Sequence, residues 1–251
     1  MKKLLDKIKK DFVLGPFSKI TDPSVIEIAG YSGFDFIIID LEHGPISIEN
    51  SQNLIRAAEN VDISPIIRVA NNDEKKILKA LDIGAHGIQV PGISSKEQAE
   101  RLVRYSYYAP KGERGVCRYV RAAEYTNINK EEYFEITNEQ ILTIAHIEGE
   151  EGIENLDNIL EVDELDILFI GPYDLSQSMG IPGETENPVL QEKMREVVEA
   201  CKAKNKFVGT FVETPEQAKK WKKAGVKYLS YSVDVGLIYN KFHEINEICR
   251  N

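Results

Sequence analysis

Eight short apolar runs recur along the chain, separated by amphipathic segments. The runs are FVLGPF (12–17), FDFIIID (34–40), PIIRVA (65–70), HGIQVPGI (86–93), ILTIAHIE (141–148), LDILFIG (165–171), KFVGTFV (206–212) and KYLSYSV (227–233). Several are β-branched and nearly continuous, as expected of strands buried on both faces of a parallel sheet. Helical patterns lie between them. Asp73 to Leu81 places Ile77, Leu78 and Leu81 on one face, and Glu150 to Val162 and Val189 to Lys204 behave likewise. Thr214 to Ala224 opens with an N-capping Thr and a first-turn Pro, and Gly225 stops it. The 251 residues give about 31 per strand–helix unit, the pace of a single (β/α)8 TIM barrel over residues 1–251. A doubly wound open sheet is the alternative, but G-x-G-x-x-G is absent from the sequence.

The regular pace breaks once, between Tyr108 and Ile136, where the gap is too long for a simple loop. Segments of that size are often lids or interface elements. The formal charge of −10 gives no general attraction to nucleic acid or anionic lipid, so neither is expected as a partner. No apolar run approaches the roughly 18 residues of a membrane span. The N-terminal stretch MKKLLDKIKKDF is interrupted by charges and reads as a short amphipathic helix, not a secretory core. Cys117, Cys201 and Cys249 lack metal-type spacing, so reduced thiols and a cytoplasmic setting are expected.

In a barrel enzyme, chemistry gathers where strands end. Strand two ends Asp40-Leu41-Glu42-His43-Gly44, strand three carries Arg68, and strand four ends Gln89-Val90-Pro91-Gly92. Strand five ends His146-Ile147-Glu148, and strand six runs into Gly171-Pro172-Tyr173-Asp174. Each has a plain structural alternative. Asp40 and Glu42 could be caps or surface acids, Arg68 a buried ion pair, and Glu148 and Asp174 helix caps. His86, at a strand start, and His243, on the last helix, read as structural. Taken together, charges arriving at one rim from several strands point to a site, because buried charge needs pairing.

Glu148 and Asp174, from neighbouring strands, offer a hard oxygen set for a divalent cation with open positions. That favours Mg²⁺ or Mn²⁺, with Co²⁺ also suited. A cation beside an arginine suits a 2-oxo acid, with Arg68 against the oxygen that becomes negative on enolisation. His43 is the candidate base. Arg114, Arg118 and Arg121 stand in the long gap beside Tyr119 and Tyr125. They are either a solvated or subunit-contact face, or a source of one arginine, Arg118, that reaches the site mouth and makes charge-assisted hydrogen bonds to carboxylate or hydroxyl groups of a substrate.

FDFIIIDLEHGP (34–45), Arg68, LDIGAHGIQVPGI (81–93), HIEGEEGIEN (146–155) and FIGPYDLSQSMGIPG (169–183), in that order, resemble the HpcH/HpaI aldolases, the metal-dependent class II 2-oxo acid aldolases. The resemblance runs from about Gly15 to Tyr239. It implies a (β/α)8 barrel assembled as a homohexamer, with the last helix packing on a neighbouring subunit. It implies cleavage of a 4-hydroxy-2-oxo acid to pyruvate and an aldehyde, reversibly, with Glu148 and Asp174 as metal ligands. Arg68 would then stabilise the pyruvate enolate, and His43 would act as base and acid through a metal-bound water. Asp82 would orient that histidine from an adjacent subunit, and Asp40 would lie near the aldehyde end. The backbone at Tyr173 and Asp174 would hold the pyruvate carboxylate. This chain departs from the family pattern at His146, often Gln in relatives, and at Val116 to Arg121, usually rich in small residues. Both departures fall where the acceptor approaches, so the aldehyde is left open.

Two other functions compete. One is another enolate-based C–C lyase, an oxaloacetate decarboxylase or a citrate-lyase-like enzyme. CoA-linked chemistry would want a larger basic patch than the sequence offers. The other is a non-catalytic 2-oxo acid binding protein, which would not need His43. A Schiff-base aldolase would need a lysine projecting from a core strand, whereas Lys206 and Lys227 fall at strand starts.

Overall fold

The computed structural model describes residues 3–250. All eight apolar runs form strands: β1 (Val13–Ser18), β2 (Phe36–Asp40), β3 (Ser64–Arg68), β4 (Gly87–Val90), β5 (Leu142–Ile147), β6 (Ile167–Ile170), β7 (Phe207–Val212) and β8 (Tyr228–Val233). Each pairs in parallel with the next, and β8 pairs with β1, so the sheet closes into a barrel. The intervening helices are α2 (Pro23–Tyr31), α3 (Ile48–Asn60), α4 (Glu74–Asp82), α5 (Lys96–Ser106), α6 (Lys130–Gln140), α7 (Glu150–Glu154), α8 (Leu156–Ile159), α9 (Pro172–Ser178), α10 (Pro188–Ala203) and α11 (Pro215–Ala224). Helix α1 (Lys3–Lys10) precedes the barrel, and α12 (Asp234–Arg250) follows it.

The strands sort their side chains by alternation, as a pleated strand must. Ile37, Ile39, Ile67, Val69, Ile88, Val90, Ala145, Ile147, Leu168 and Ile170 face the helices and join one apolar cluster with them. Val13, Phe17, Phe36, Ile38, Ile66, Leu142, Ile144, Ile167, Phe169 and Tyr228 fill the barrel interior. There Phe36 stacks on Tyr228 with centroids 4.1 Å apart. The predicted N-terminal helix is present as α1, and its Leu4 and Ile8 join the interior cluster.

The local signals read from the sequence appear as capping geometry. Asp73 caps α4, and Thr214 and Gln217 form a capping box on α11, which Gly225 ends in a left-handed conformation. One predicted helix differs. Glu150 to Val162 is broken into α7 and α8 at Asn155, whose side-chain amide donates to Ser94 O. That tie to the β4–α5 loop takes the residue out of helical geometry.

The long segment between α5 and β5 does not cover the C-terminal mouth of its own barrel. It folds along the opposite, N-terminal end, where Arg121 donates to Ile83 O and pairs with Glu59. Arg114 is buried there against Asp82 (2.6 Å) and over the Tyr108 ring. These residues border a cavity of about 490 Å³ together with His86 and Gln140. Because it lies at the strand starts, it is remote from the strand ends where the polar rim gathers.

Candidate active site

The inward parity of each strand carries the apolar interior into a polar rim two residues further on. After Ile38 comes Asp40, after Ile66 comes Arg68, and after Ile144 come His146 and then Glu148. Register aligns Asp40 with Arg68 and Arg68 with Gln89 on adjacent strands. The result is a mouth cavity of about 160 Å³ lined by Phe17, Lys19, Arg68, His146, Glu148, Tyr173, Asp174 and Glu213, among others.

Arg68 lies across the floor of this mouth. Its Nε and Nη2 donate to the two oxygens of Asp40 at 2.9 and 2.8 Å, and its Nη1 stands 3.0 Å from Glu42 Oε2. The guanidinium also sits 4.6 Å from the Phe17 ring centroid. Two of its five N–H groups thus donate to Asp40, and Nη1 is ion-paired with Glu42 without a hydrogen bond. Asp40 is wholly buried and also accepts from the backbone N–H groups of Glu42 and His43. Burial pushes its carboxyl up, but the Arg68 contacts outweigh it and hold the group below the usual range. Glu42 goes the other way: burial raises it despite the pull of Arg68. The ion-pair reading of Arg68 is therefore realised, and the side chain still lines the cavity.

Glu148 is held from two sides. Gly92 N–H donates to Oε1 at 2.6 Å, and His146 Nδ1 lies 3.0 Å from Oε2. Burial raises its carboxyl, yet the hydrogen bonds from His146 and Gly92 and the field of Arg68 bring it below the ordinary value. Asp174, in the first turn of α9, makes no hydrogen bond or ion pair among the described residues and is exposed to the mouth. The two carboxylates converge on Gly171. A Cβ there would lie 3.0 Å from Glu148 Oε2 and 3.9 Å from Asp174 Oδ2. A bare backbone thus keeps open the space between two acceptor-only groups, which fits a hard divalent cation. Among the described residues no group of three or more His, Cys, Asp or Glu side chains is gathered that could hold a metal ion.

The other expected residues are spread more widely. His43 stands on the rim with its side chain more than half exposed, its Nε2 3.7 Å from Glu42. Tyr173 lines the mouth and donates to Glu213 at 2.7 Å. Asp82 ends α4 at the far end of the barrel, paired with Arg114, so it does not meet the His43 of its own chain. The expectation that Arg118 reaches the mouth is not met within one chain. Its Nη2 donates to Ile128 O (2.7 Å) and Thr126 O, because the long segment folds on the opposite barrel end.

Sequence reading missed Lys19, Gln89 and Glu213 as site residues. Lys19 and Glu213 directly follow β1 and β7, so extending the strand-end rule to those strands finds both. Lys19 thus stands at a strand end, unlike Lys206 and Lys227 at strand starts. Of the three cysteines, none is paired; Cys201 is buried, which pushes its thiol up to about 12. No helix among the described residues is long and apolar enough to cross a membrane.

Residues 14–241 match the model of the HpcH/HpaI aldolase/citrate lyase family. The chain is 33% identical over 230 residues to the 2-keto-3-deoxy-L-rhamnonate aldolase of Salmonella typhi, covering 91% of this chain and 85% of that one. It is 31% identical over 232 residues to the 2-dehydro-3,6-dideoxy-6-sulfogluconate aldolase of Pseudomonas putida, covering 92% and 90%. Among solved structures, the citrate synthase SbnG superposes with a TM-score of 0.88 at 35% identity, over 100% of this chain and 97% of that one. The barrel, the order of the rim motifs and these matches agree, and the chain belongs to the HpcH/HpaI aldolase/citrate lyase family.

Proposed function

We propose that this protein is a divalent-metal-dependent aldolase that cleaves a 4-hydroxy-2-oxo acid to pyruvate and an aldehyde, reversibly, as an aldehyde-lyase. The observation that carries the reading is the convergence of Glu148 and Asp174 on Gly171, with Arg68 in the same cavity. Its aldolase relatives support it.

Glu148 and Asp174 would hold Mg²⁺, Mn²⁺ or Co²⁺. When bound, the cation supplies Lewis-acid polarisation of the carboxylate and keto oxygens of a 2-oxo acid. Arg68 directs its remaining N–H groups at the keto oxygen, where negative charge builds as the C3–C4 bond breaks. A donor so placed is worth about 3–4 kcal/mol. His43, at the rim, takes the proton of the C4 hydroxyl through water. The C–C bonding pair then passes to the pyruvate fragment and the aldehyde leaves. The same imidazole returns a proton to C3. Asp40 acts as the brace of Arg68 and lies near the aldehyde end. The backbone at Tyr173 and Asp174 receives the pyruvate carboxylate.

Asp82 would orient His43 from a neighbouring subunit, since it lies at the opposite end of its own barrel. The homohexamer and the cytoplasmic setting belong to this proposal, with the exposed apolar face of α12 as the support for assembly.

A second reading is C–C chemistry on citrate- or oxaloacetate-type acids, favoured by the 35% identity to SbnG. Lys19 and Arg68 are the cations lining the mouth, a small basic set for the phosphates of a CoA carrier. The deciding experiment follows pyruvate C3 protons by NMR in D₂O, with and without EDTA. Exchange that chelator abolishes and added Mg²⁺ or Mn²⁺ restores is expected. No exchange with metal present, together with turnover of oxaloacetate, would move the assignment to the second reading.

A further inference from the structure

We propose that Lys19 selects the second substrate: it is the cation that receives a negatively charged terminus, a carboxylate, on the acceptor aldehyde. The inference rests on the aldolase reading and adds the substrate class.

Four observations place Lys19 in that role. It follows β1, and its inward parity continues that of Val13 and Phe17, so its side chain enters the mouth opposite β5. Its stem runs beside the loop that carries His43: a Cβ on Gly44 would lie 3.5 Å from Lys19 Cγ. In the closed barrel β1 stands across from β5, which Glu148 follows, so on the aldolase reading Lys19 is on the acceptor side.

Lys19 is also uncommitted. Among the described residues its ammonium has one ion pair, Asp40 Oδ2 at 3.8 Å, which is beyond hydrogen-bond distance. Asp40 gains little from it, because Arg68 already donates to both of its oxygens. Turning the ammonium to a ligand therefore breaks no hydrogen bond. Arg68, by contrast, is clamped by two carboxylates.

The base of Lys19 is rigid. Buried Asp234 accepts from Ser18 Oγ at 2.7 Å and from the backbone N–H groups of Lys19 and Ile20, each at 3.0 Å. A flexible cation on a fixed backbone can reach a ligand without a disordered loop.

Charge makes the residue necessary. Around the mouth stand Asp40, Glu42, Glu148, Asp174 and Glu213, against Arg68 and Lys19. A divalent cation would offset two of those carboxylates at the pyruvate end. Without Lys19, an anionic acceptor arriving at the His43 side would meet carboxylates and a guanidinium already paired. With it, three N–H donors face that acceptor.

The test compares two four-carbon aldehydes, succinic semialdehyde and butyraldehyde, with pyruvate and Mg²⁺. Wild type, Lys19→Ala, Lys19→Gln and Lys19→Arg are assayed. In the Ala and Gln variants the ratio of kcat/KM, succinic semialdehyde to butyraldehyde, is expected to fall about tenfold to a hundredfold, the weight of a charged hydrogen bond. The loss should lie in KM, and Lys19→Arg should restore most of it. A ratio that stays within twofold of wild type overturns the proposal. A second arm titrates succinate onto each metal-loaded protein by calorimetry. Weaker binding in Lys19→Gln, by fivefold or more, supports the proposal, and equal binding overturns it. That arm needs no turnover. A protein that processed neither aldehyde would refute the aldolase reading, while Lys19 would still be judged by the titration.

Discussion

His146 Nδ1 lies 3.0 Å from Glu148 Oε2, while its Nε2 meets the side-chain amide of Gln89. The proton positions follow from the carboxylate end. Glu148 only accepts, so Nδ1 carries the hydrogen and, in the neutral ring, Nε2 accepts. Gln89 must then donate through Nε2, and its Oε1 accepts from Tyr228 OH at 3.3 Å. A relay from β8 through β4 to β5 thus holds one tautomer and steadies a proposed metal ligand, and the ring is stacked on Phe169 with centroids 4.6 Å apart. Outer groups of this kind commonly contribute about 10–100-fold in metal affinity. Gln89→Leu should weaken metal binding by that order with the barrel still folded. In ¹⁵N-histidine spectra the His146 Nδ1 should carry the proton, and a proton on Nε2 would break the relay argument.

Gly171 supplies a steric test of the same centre. Its backbone, at φ −88°, suits any residue, so Gly171→Ala carries no conformational penalty. The added Cβ would instead meet Glu148 Cβ at 3.1 Å and Oε2 at 3.0 Å. We expect metal affinity and turnover to fall at least tenfold with little change in Tm. Glu148→Gln and Asp174→Asn should abolish both. Full activity of extracted wild-type protein in excess chelator would remove the metal from the mechanism.

Arg68 divides structural from chemical roles. Arg68→Ala leaves Asp40 buried without its guanidinium, so some loss of stability is expected along with the loss in rate. The rate effect should be on the order of 10²–10³-fold in kcat. Arg68→Lys should recover stability better than rate, because a point charge cannot fill both Asp40 oxygens and also reach the substrate. A change confined to KM would make Arg68 a binding residue only.

Much of this was legible before any coordinates. The eight strands were, because a doubly covered parallel strand is written as a continuous apolar run. Asp40, Arg68, His146 and Glu148 were legible because each interrupts or ends such a run. What was hidden depends on how the barrel closes. Gln89 became a partner of His146 only through the register of β4 against β5. Lys19 gained its place when β1 met β2 and the Asp40–Gly44 loop. The break at Asn155 came from a distant carbonyl that no helical pattern contains. Arg118 was misleading for a related reason: sequence adjacency to a strand end does not say which barrel end a long insertion will cover.

The N-terminal end carries a pH-dependent tie. Burial raises the Glu59 carboxyl, but contacts with His86 and hydrogen bonds from Arg121 more than reverse this and hold it at about 2, against an ordinary value of 4.5. A depressed carboxyl contributes its stability fully above the unfolded-state value and loses it as pH falls towards the folded one. The contribution should therefore be complete above about pH 5 and fade between about 4.5 and 2. Glu59 is partly exposed, so the effect is screened and modest. Glu59→Gln should flatten the fall of Tm over that range. An identical fall in the variant would show that this tie adds nothing.

Assembly is the remaining prediction, and it joins two separate observations. Along α12, Ile238, Tyr239, Phe242, Ile245 and Ile248 are exposed, so the helix does not lay this apolar face on its own barrel. Asp82 stands at the opposite barrel end from the His43 it is proposed to orient. Both are resolved if another copy of the chain covers α12 and brings its Asp82 to the mouth. Light scattering should then report a multiple of 28.4 kDa, with six copies expected, and Phe242→Glu should lower that mass and the activity together. Co-expression supplies the sharper measurement. Asp82→Asn and Glu148→Gln should each be nearly inactive alone. In mixed oligomers, a site that keeps Glu148 can receive Asp82 from the other variant, so activity should return. Mixed oligomers as inactive as either parent would show that Asp82 does not act across the interface.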